Sequence, residues 1–447
     1  MKKNLIALGM SLAMTMPAFA GSNGTQLTDS TFDDYLVRVF SGSESCGGQL
    51  IAGKYVVTAA HCVADAWGSK LSDEWMAISS DGVLTDEQVS DADLKIYFGS
   101  ATYTSGTKLG VSAATLFHDY VYRYQNSSST SDYDTEVKSE WAAEYGLTDD
   151  DVLGSFSVFG DIAVFTLSES AQQQTAATLI TSTKSIDDEV DVRWAGWGIT
   201  EEGGSAPATA NYGYMTYTAF PWDSWWTQTT TADWERATTK DGSMFCDGDS
   251  GSAVTIDGQV LGYVRGHTGD CGDSDSDLRI TAARFYIDWL AEQIDAVNTV
   301  SKKDLTVDAA GAHTVTWTIP VQSLKVDDVT FNPQIVDSTG LFTSDDLSNC
   351  EGTFATGESC EITVTFNAAG ATVSSDASAT LQLNDDLSIP LSYTISSTSS
   401  DDSSDDSSDD SSSDDSSSSS SSGGGGSASW MVLMALAGLA LRRKSRR

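Results

Sequence analysis

Apolar and polar residues alternate in short runs along the first part of the chain, for example at residues 35–40, 55–58 and 259–264. Turns rich in Gly, Ser and Asp separate these runs. A period of two is typical of half-buried β-strands, and many short strands favour an antiparallel all-β fold. Apolar residues at helical spacing predict one helix, over residues 285–297, at the end of this region.

The alternation resumes after this helix, in runs at residues 305–307, 314–319 and 361–366. A series of such strands with turns between them predicts a small β-sandwich over residues 303–395. Its pattern resembles the immunoglobulin-like modules of bacterial surface proteins. It contains no catalytic constellation, so a spacer or binding role is expected. The boundary between the two domains is predicted near Asn298.

The N-terminal end has the features of a secretory signal over residues 1–20. Lys2 and Lys3 precede an apolar run, and small residues surround a cleavage point after Ala20. The mature chain is therefore predicted to begin at Gly21, and signal peptidase is an expected partner during export.

The C-terminal part changes composition twice. Residues 396–426 are nearly all Ser, Asp and Gly and carry too few apolar groups to fold, which predicts a disordered stalk. Residues 427–447 contain an apolar run, shorter than the roughly 20 residues of a comfortable bilayer span, and end in a basic tip. This order resembles the GlyGly-type C-terminal sorting signal of Gram-negative bacteria. The resemblance implies transient membrane anchoring by the helix, cleavage by a rhomboid-type sorting peptidase, and delivery to the cell surface or the medium.

The charge of the chain is extreme, because its 447 residues carry a formal net charge of -40. Such a surface repels phosphates, which argues against nucleic acid as a partner. The simplest consequence of this acidity is a well solvated surface that tolerates salt.

Two short segments carry the chemistry. Residues 246–252 read Cys-Asp-Gly-Asp-Ser-Gly-Ser, and residues 58–62 read Thr-Ala-Ala-His-Cys. A serine hydroxyl is a weak nucleophile at neutral pH and needs a nearby base, so Ser250 and His61 complement each other. The two segments, in this order, resemble those of the trypsin-like serine peptidases (the chymotrypsin family).

This resemblance implies two antiparallel β-barrels with a C-terminal helix over residues 21–298. It also implies a secreted endopeptidase that hydrolyses proteins or peptides through an acyl-enzyme, with no cofactor and no metal. The alternative is a surface-displayed adhesive or binding protein whose peptidase domain is secondary or inactive. Inactivity is disfavoured because all three catalytic positions are filled.

The resemblance assigns the catalytic roles. His61 is expected to be the general base for Ser250, and Asp161, which opens an apolar strand, is expected to orient the imidazole. Asp132 or Asp134 could compete for this role, but neither opens an apolar strand. The separation of His61 from Asp161 exceeds the family's usual value, which implies an insertion between residues 120 and 160.

The serine segment also implies an oxyanion hole. The backbone N–H groups of Gly248 and Ser250 are expected to bind the tetrahedral oxyanion. In the family, the carboxylate next to the serine pairs with a new α-amino group, so Asp249 is predicted to pair with Gly21. The alternative is a short disordered leader, with Asp249 satisfied by another donor.

Substrate preference is predicted from the position six residues before the nucleophile, which lies at the base of the family's primary pocket. Met244 stands there and cannot pair with Lys or Arg, so an apolar P1 residue is expected. His267 and Leu278 are the predicted wall residues of this specificity pocket.

The six cysteines of an exported protein are expected to pair, and their positions alone leave fifteen connectivities open. The resemblance implies two bridges, Cys46–Cys62 beside the histidine and Cys246–Cys271 beside the serine. The remaining two residues, Cys350 and Cys360, are then predicted to pair.

Overall fold

The computed structural model describes residues 22–64, 78–118, 120–121, 160–182, 186, 189–218, 234–274, 276–307, 314–367 and 377–395. The predicted signal, Gly21, the alternatives Asp132 and Asp134, the stalk and the C-terminal sorting segment lie outside these residues. Within the described part of the chain, the helices are all too short or too polar to cross a bilayer.

The first barrel follows a short strand, β1 (Thr25–Gln26). Six antiparallel strands close in the order β2-β3-β4-β7-β6-β5. Their bounds are β2 (Leu36–Ser41), β3 (Glu44–Ile51), β4 (Tyr55–Thr58), β5 (Leu94–Phe98), β6 (Thr107–Leu116) and β7 (Ala163–Leu167). Apolar residues of alternate positions, such as Val37, Val39 and Ile96, fill its interior. The runs predicted at 35–40 and 55–58 are therefore strands of one barrel.

The second barrel is built in the same way. Its strands are β8 (Asp191–Gly196), β9 (Asn211–Thr218), β10 (Trp234–Thr239), β11 (Ala253–Ile256), β12 (Gln259–His267) and β13 (Asp277–Ala282). They pair in the order β8-β9-β10-β13-β12-β11, and β11 pairs back with β8 to close the barrel. Trp194, Met215 and Ile280 are buried in its core. Two closed antiparallel barrels confirm the predicted all-β class.

The described residues contain three α-helices, α1 (His61–Ala64), α2 (Asp86–Asp91) and α3 (Ile287–Ile294). Short 3-10 turns lie at Tyr103–Ser105, Ala283–Phe285 and Ser348–Cys350. Helix α3 packs an apolar face that includes Leu290 against the barrels. It is shorter than predicted, because Asp295 adopts a left-handed backbone with φ of 41° and ends it.

The C-terminal region forms two four-stranded sheets and a separate strand pair. Its strands are β14 (Ala296–Asn298), β15 (Lys303–Val307), β16 (Thr314–Leu324), β17 (Val329–Phe331), β18 (Gln334–Val336), β19 (Phe342–Thr343), β20 (Gly352–Phe354), β21 (Ser359–Asn367), β22 (Ala377–Gln382) and β23 (Ser388–Ile395). The sheet orders are β14-β16-β21-β19 and β15-β23-β22-β18, while β17 pairs with β20. Phe366 of one sheet stacks on Tyr393 of the other at 4.3 Å in a shared core.

The C-terminal region is joined to the barrels by more than the chain. Strand β14 pairs with β16, so the boundary predicted near Asn298 falls inside a sheet of the C-terminal region. The buried amide of Gln322 in β16 accepts from the N–H of Leu179 at 2.7 Å and donates to its carbonyl at 2.9 Å. Leu179 belongs to the segment that links the two barrels, which ties that linker to the C-terminal sheet.

Candidate active site

His61 and Asp161 are brought together by strand pairing. In the antiparallel pair of β4 and β7, Thr58 lies opposite Ala163, so the residues just after β4 and just before β7 are neighbours. The Nδ1 of His61 lies 2.8 Å from Oδ2 of Asp161, and the backbone N–H of His61 donates to Oδ1 at 2.9 Å. Both carboxylate oxygens are therefore engaged by one residue.

The environment of Asp161 favours its ionised form. Burial alone would raise the pKa of this carboxyl group, because its side chain is only 4% exposed. The charge of His61, the two hydrogen bonds from His61 and the charge of Arg265 outweigh burial and hold the pKa of Asp161 below its usual value. An ionised Asp161 fixes the orientation of the His61 ring.

Ser250 lies in the loop between β10 and β11, on the second barrel. Its carbonyl accepts from the N–H of Gly47 in β3 at 2.7 Å, which fixes the loop to the first barrel. The N–H of Gly251 donates to the carbonyl of Val264 in β12 at 2.7 Å. Ser250 and His61 line the same cavity, of about 580 Å³, at the junction of the barrels.

Three disulfides cover all six cysteines: Cys46–Cys62, Cys246–Cys271 and Cys350–Cys360. The first two flank the cavity, since one bond adjoins His61 and the other holds the loop of Ser250. The atoms of Cys46, His61 and Cys62 lie close enough to suggest a metal site. The sulfurs of Cys46 and Cys62 form a disulfide, so neither is available as a thiolate ligand.

Gly248 and Asp249 shape the loop in front of Ser250. Gly248 has a φ of +93°, in the region that favours glycine. The carboxylate of Asp249 is fully buried and accepts from the N–H of Gly198 at 2.6 Å and of Cys246 at 3.0 Å. Burial raises the pKa of Asp249 to about 7, although these bonds and the charge of Arg38 oppose the rise. The predicted partner Gly21 lies outside the described residues.

The sequence motif Gly196-Trp197-Gly198 has a function that sequence reasoning missed. A Cβ atom at Gly198 would lie 2.5 Å from Cγ of Asp249, so the turn cradles the carboxylate and only glycine leaves room for it. The two glycines were the available signal, because glycine leaves room for another group to approach the backbone closely.

Of the three residues predicted for the specificity pocket, one lines the cavity and two are fully buried. Only His267 lines the cavity. Met244 is fully buried in the core of the second barrel, and its sulfur accepts from the N–H of Gly272 at 3.3 Å. Leu278 is fully buried in β13, where the pleat of the strand turns its side chain into the same core. Their contribution to the specificity pocket stays a prediction.

Charged residues that sequence reasoning did not assign line the cavity instead. Arg265 belongs to β12, and the carboxylates are Glu44, Glu202, Asp247 and Asp270. Asp247 stands within the serine motif and could have been singled out there. The others come from separate strands and turns, and only the folded chain brings them together.

The pattern of the Trypsin family matches residues 22–290, which covers both barrels and more than half of the chain. The chain belongs to the trypsin family. It is a serine endopeptidase, and proteins are its substrates.

Solved structures similar to this trypsin-family chain include the secreted serine protease VesC from Vibrio cholerae. The two share 16% identity with a TM-score of 0.38, over 83% of this chain and 71% of that one. Mouse neuropsin shares 17% identity with a TM-score of 0.40, over 61% and 99% of the two chains. Human heparin binding protein shares 17% identity with a TM-score of 0.40, over 61% and 95%. No curated protein sequence matches the chain.

Proposed function

We propose that this trypsin-family chain is an exported serine endopeptidase whose catalytic residues are Ser250, His61 and Asp161. One observation carries the proposal: the His61 ring, bonded to the Asp161 carboxylate at 2.8 Å, lines the same cavity as Ser250. The three side chains come from the loop before β11, the start of α1 and the residues just before β7. Convergence of these groups from three distant segments is the arrangement that nucleophilic acyl transfer needs.

The reaction runs in two stages. The Oγ of Ser250 attacks the scissile carbonyl carbon while Nε2 of His61 takes the hydroxyl proton. When the tetrahedral intermediate collapses, the C–N bond breaks and the imidazolium returns that proton to the leaving amine. Water then repeats the sequence on the acyl-enzyme and releases the acid. Asp161 stays ionised throughout and stabilises the positive imidazolium.

The oxyanion of each tetrahedral intermediate is stabilised by the backbone N–H groups of Gly248 and Ser250. The positive φ of Gly248 and the bonds that fix the carbonyl of Ser250 to Gly47 support this assignment. Preorganised donors of this kind lower the barrier by about 3 to 4 kcal/mol each.

Activation is proposed to use the α-amino group of Gly21, released by signal peptidase, as a partner for Asp249. The support comes from Ser22, whose carbonyl accepts from the N–H of Met244 at 3.2 Å, five positions before Asp249. The alternative, in which other donors satisfy Asp249, draws on the N–H groups of Gly198 and Cys246. Enzyme that begins at Gly21 should be active, and an extra N-terminal residue should reduce its kcat if the ion pair matters.

The proposed P1 preference is for apolar residues. A thioether stands at position 244 in place of a carboxylate, so a P1 Lys or Arg has no ionic partner at that position. A panel of peptide p-nitroanilides with Arg, Phe, Leu and Ala at P1 tests this directly. Preference for Arg would contradict the proposal and would point to the carboxylates that line the cavity.

Export and display complete the proposal. The signal at 1–20 and the three disulfides fit an oxidising compartment outside the cytoplasm. The C-terminal segment 427–447 is proposed as a GlyGly-type sorting signal that anchors the chain transiently until a rhomboid-type peptidase removes it. The final address is then the cell surface or the medium of a Gram-negative bacterium. The immunoglobulin-like region 303–395 and the stalk present the peptidase.

Active-site labelling tests the enzyme and its processing together. A fluorophosphonate should modify Ser250 in the exported protein, and a Ser250→Ala variant should remain unlabelled. Mass spectrometry of the labelled protein should find Gly21 at its N-terminus and a cut before the apolar run of residues 427–447. Folded protein that resists the probe would favour the adhesive alternative, in which the peptidase domain is inactive.

A further inference from the structure

A buried arginine lies beneath the loop that carries the nucleophile. Arg38 in β2 is only 3% exposed, although it belongs to a barrel strand whose other side chains are mostly apolar. Its Nε and Nη2 donate to Oγ of Ser45 at 3.1 and 3.0 Å. Its Nη1 donates to the carbonyl of Pro207, on the second barrel, at 2.7 Å. One guanidinium group therefore bridges the two barrels.

Among the described residues, the groups that are hydrogen-bonded to Arg38 or stacked on it carry no formal charge. The guanidinium lies 4.2 Å from the ring centroid of Tyr103 and 4.8 Å from that of Phe40. In the described part of the chain, no carboxylate forms a salt bridge with it. A buried guanidinium stays protonated, so its charge acts on buried anions near it across a low-dielectric medium. Burial lowers the pKa of Arg38, and Tyr103 and Asp249 partly oppose that effect.

Asp249 is a buried carboxylate on which this charge acts. Among the described residues, the ionised groups that act on its carboxylate are Arg38 from the first barrel and Asp247 from its own loop. The first stabilises the ionised form and the second destabilises it. Asp249 therefore has an internal positive charge near it that does not depend on a new N-terminus.

Ser45 provides the second connection to the loop. It lines the catalytic cavity and precedes Cys46, whose disulfide reaches the residue after His61. The Ser45 carbonyl lies next to Gly248, because a Cβ atom there would be 3.6 Å from it. The two hydrogen bonds from Arg38 fix the side chain of Ser45 and so support this wall of the oxyanion site.

We propose that Arg38 is a positioning residue of this peptidase: its guanidinium gives Asp249 a permanent internal counter-charge and, through Ser45, supports the loop of Gly248 and Ser250. The proposal rests on the proposed role of Ser250 as the nucleophile. It makes the active loop partly independent of the α-amino group of Gly21, because Arg38 is present before and after processing.

The test compares fluorophosphonate labelling rates of the mature enzyme and its variants between about pH 6 and pH 9. The ratio of the variant rate to the wild-type rate removes the titration of His61, which both proteins share. Arg38→Gln should label about five to ten times more slowly near pH 7, since Asp249 then ionises less readily, and the ratio should recover toward alkaline pH. Arg38→Lys keeps the charge and should stay within about threefold at every pH.

Arg193→Gln is the matched control. Arg193 is also a barrel arginine, lies 5.1 Å from the ring of Tyr212 and pairs with Asp33 at 3.2 Å, but its charge does not act on Asp249. The ratio of the Arg193→Gln labelling rate to the wild-type rate should remain near one at every pH. A ratio for Arg38→Gln that is equally low at every pH would overturn the proposal, because it would indicate a structural role only.

Two outcomes are kept distinct. If Arg38→Gln does not fold, Arg38→Lys decides, because a folded lysine variant that labels tenfold more slowly at all pH values refutes the counter-charge. If the wild-type enzyme itself is not labelled, the role of Ser250 fails and not that of Arg38. In an Asp249→Asn background, the ratio for Arg38→Gln should no longer vary with pH, since the charge interaction that it removes is already absent.

Discussion

Two buried aspartates lie on either side of Ser250 and His61, and their carboxyl groups behave in opposite ways. Asp161 is 3% exposed and Asp249 is fully buried. The pKa of Asp161 is held below its usual value, because the charge and hydrogen bonds of His61 overcome burial. The pKa of Asp249 is raised to about 7, because the hydrogen bonds from two backbone N–H groups and the charge of Arg38 do not overcome its burial. Burial is common to both, so the adjacent charge decides the direction.

The two sites also differ in what holds them in place. Asp161 adjoins β7, and the register of β7 with β4 sets its distance from His61. Asp249 lies in a loop between Gly248 and Gly251, both with positive φ, and no strand register fixes its carboxylate. The first site is therefore rigid by topology, while the second depends on its hydrogen bonds and on counter-charge.

Asp161→Asn should give the largest loss. The amide cannot accept from both the N–H and the ring of His61, and kcat should fall by about 10⁴-fold, as for other Ser-His-Asp triads. The measurement is kcat per mole of folded enzyme. Asp33→Asn, at a half-buried aspartate that pairs with Arg193, should retain normal turnover. A loss under about tenfold in Asp161→Asn would show that His61 is oriented by something else.

Gly198→Ala should lower kcat by about 10²-fold, because it disturbs the site of Asp249. The new methyl group would overlap the carboxylate, so Asp249 must move and the N–H of Gly248 with it. The bond between His61 and Asp161 should be unchanged. Gly110→Ala is the control, because its methyl group would meet only the side chain of Ser168, at 3.1 Å. Equal activity of the two variants would mean that the cradle does not position the oxyanion loop.

The raised pKa of Asp249 predicts a pH dependence of stability. Between the ordinary value of 3.8 and about 7, the folded chain binds a proton that the unfolded chain has lost. The free energy of unfolding should therefore fall as pH rises through this window. Urea midpoints of the Ser250→Ala chain, with residues 1–20 retained, should decrease between about pH 4 and pH 8.

The matched control for this pH dependence adds Asp249→Asn to the same chain. It keeps the repulsion among the other carboxylates but should lose the part of the slope that belongs to Asp249. In the chain that begins at Gly21, a pair with the α-amino group should also flatten the slope. Identical slopes in all three proteins would show that Asp249 does not titrate in this window.

Sequence alone was sufficient for the features that follow from local pattern. Alternation predicted the strands at 55–58 and 259–264, and the motif around Ser250 together with residues 58–62 predicted the family that the comparisons bear out. Helix α3 was predicted too long at both ends. The apolar periodicity does not show that Phe285 lies in a 3-10 turn, or that Val297 pairs with β16 instead of extending the helix.

The remainder of the site depends on contacts between segments that are far apart in the chain. The burial of Arg38 requires Pro207 of the other barrel to lie over β2. Met244 and Leu278 are buried in the core of the second barrel, which counting from the nucleophile does not reveal. Sequence reasoning therefore found the chemical groups more readily than the walls around them.

Ser252→Ala should have the smallest effect on kcat, and it tests most directly how the support of Asp249 differs from that of Asp161. Its Oγ is buried and has no hydrogen-bond partner in the described residues, yet a Cβ at Gly196 would contact both this oxygen and Asp249. If the hydroxyl gives Asp249 no support, alanine removes an unsatisfied polar atom. The free energy of unfolding should then rise by about 1 kcal/mol while kcat changes less than about twofold. A loss of kcat that recovers toward alkaline pH would instead identify the hydroxyl as a donor to Asp249. Both carboxylates would then accept a hydrogen bond from a neighbouring side chain. They would differ in the donor, which is His61 for Asp161 and the hydroxyl of Ser252 for Asp249.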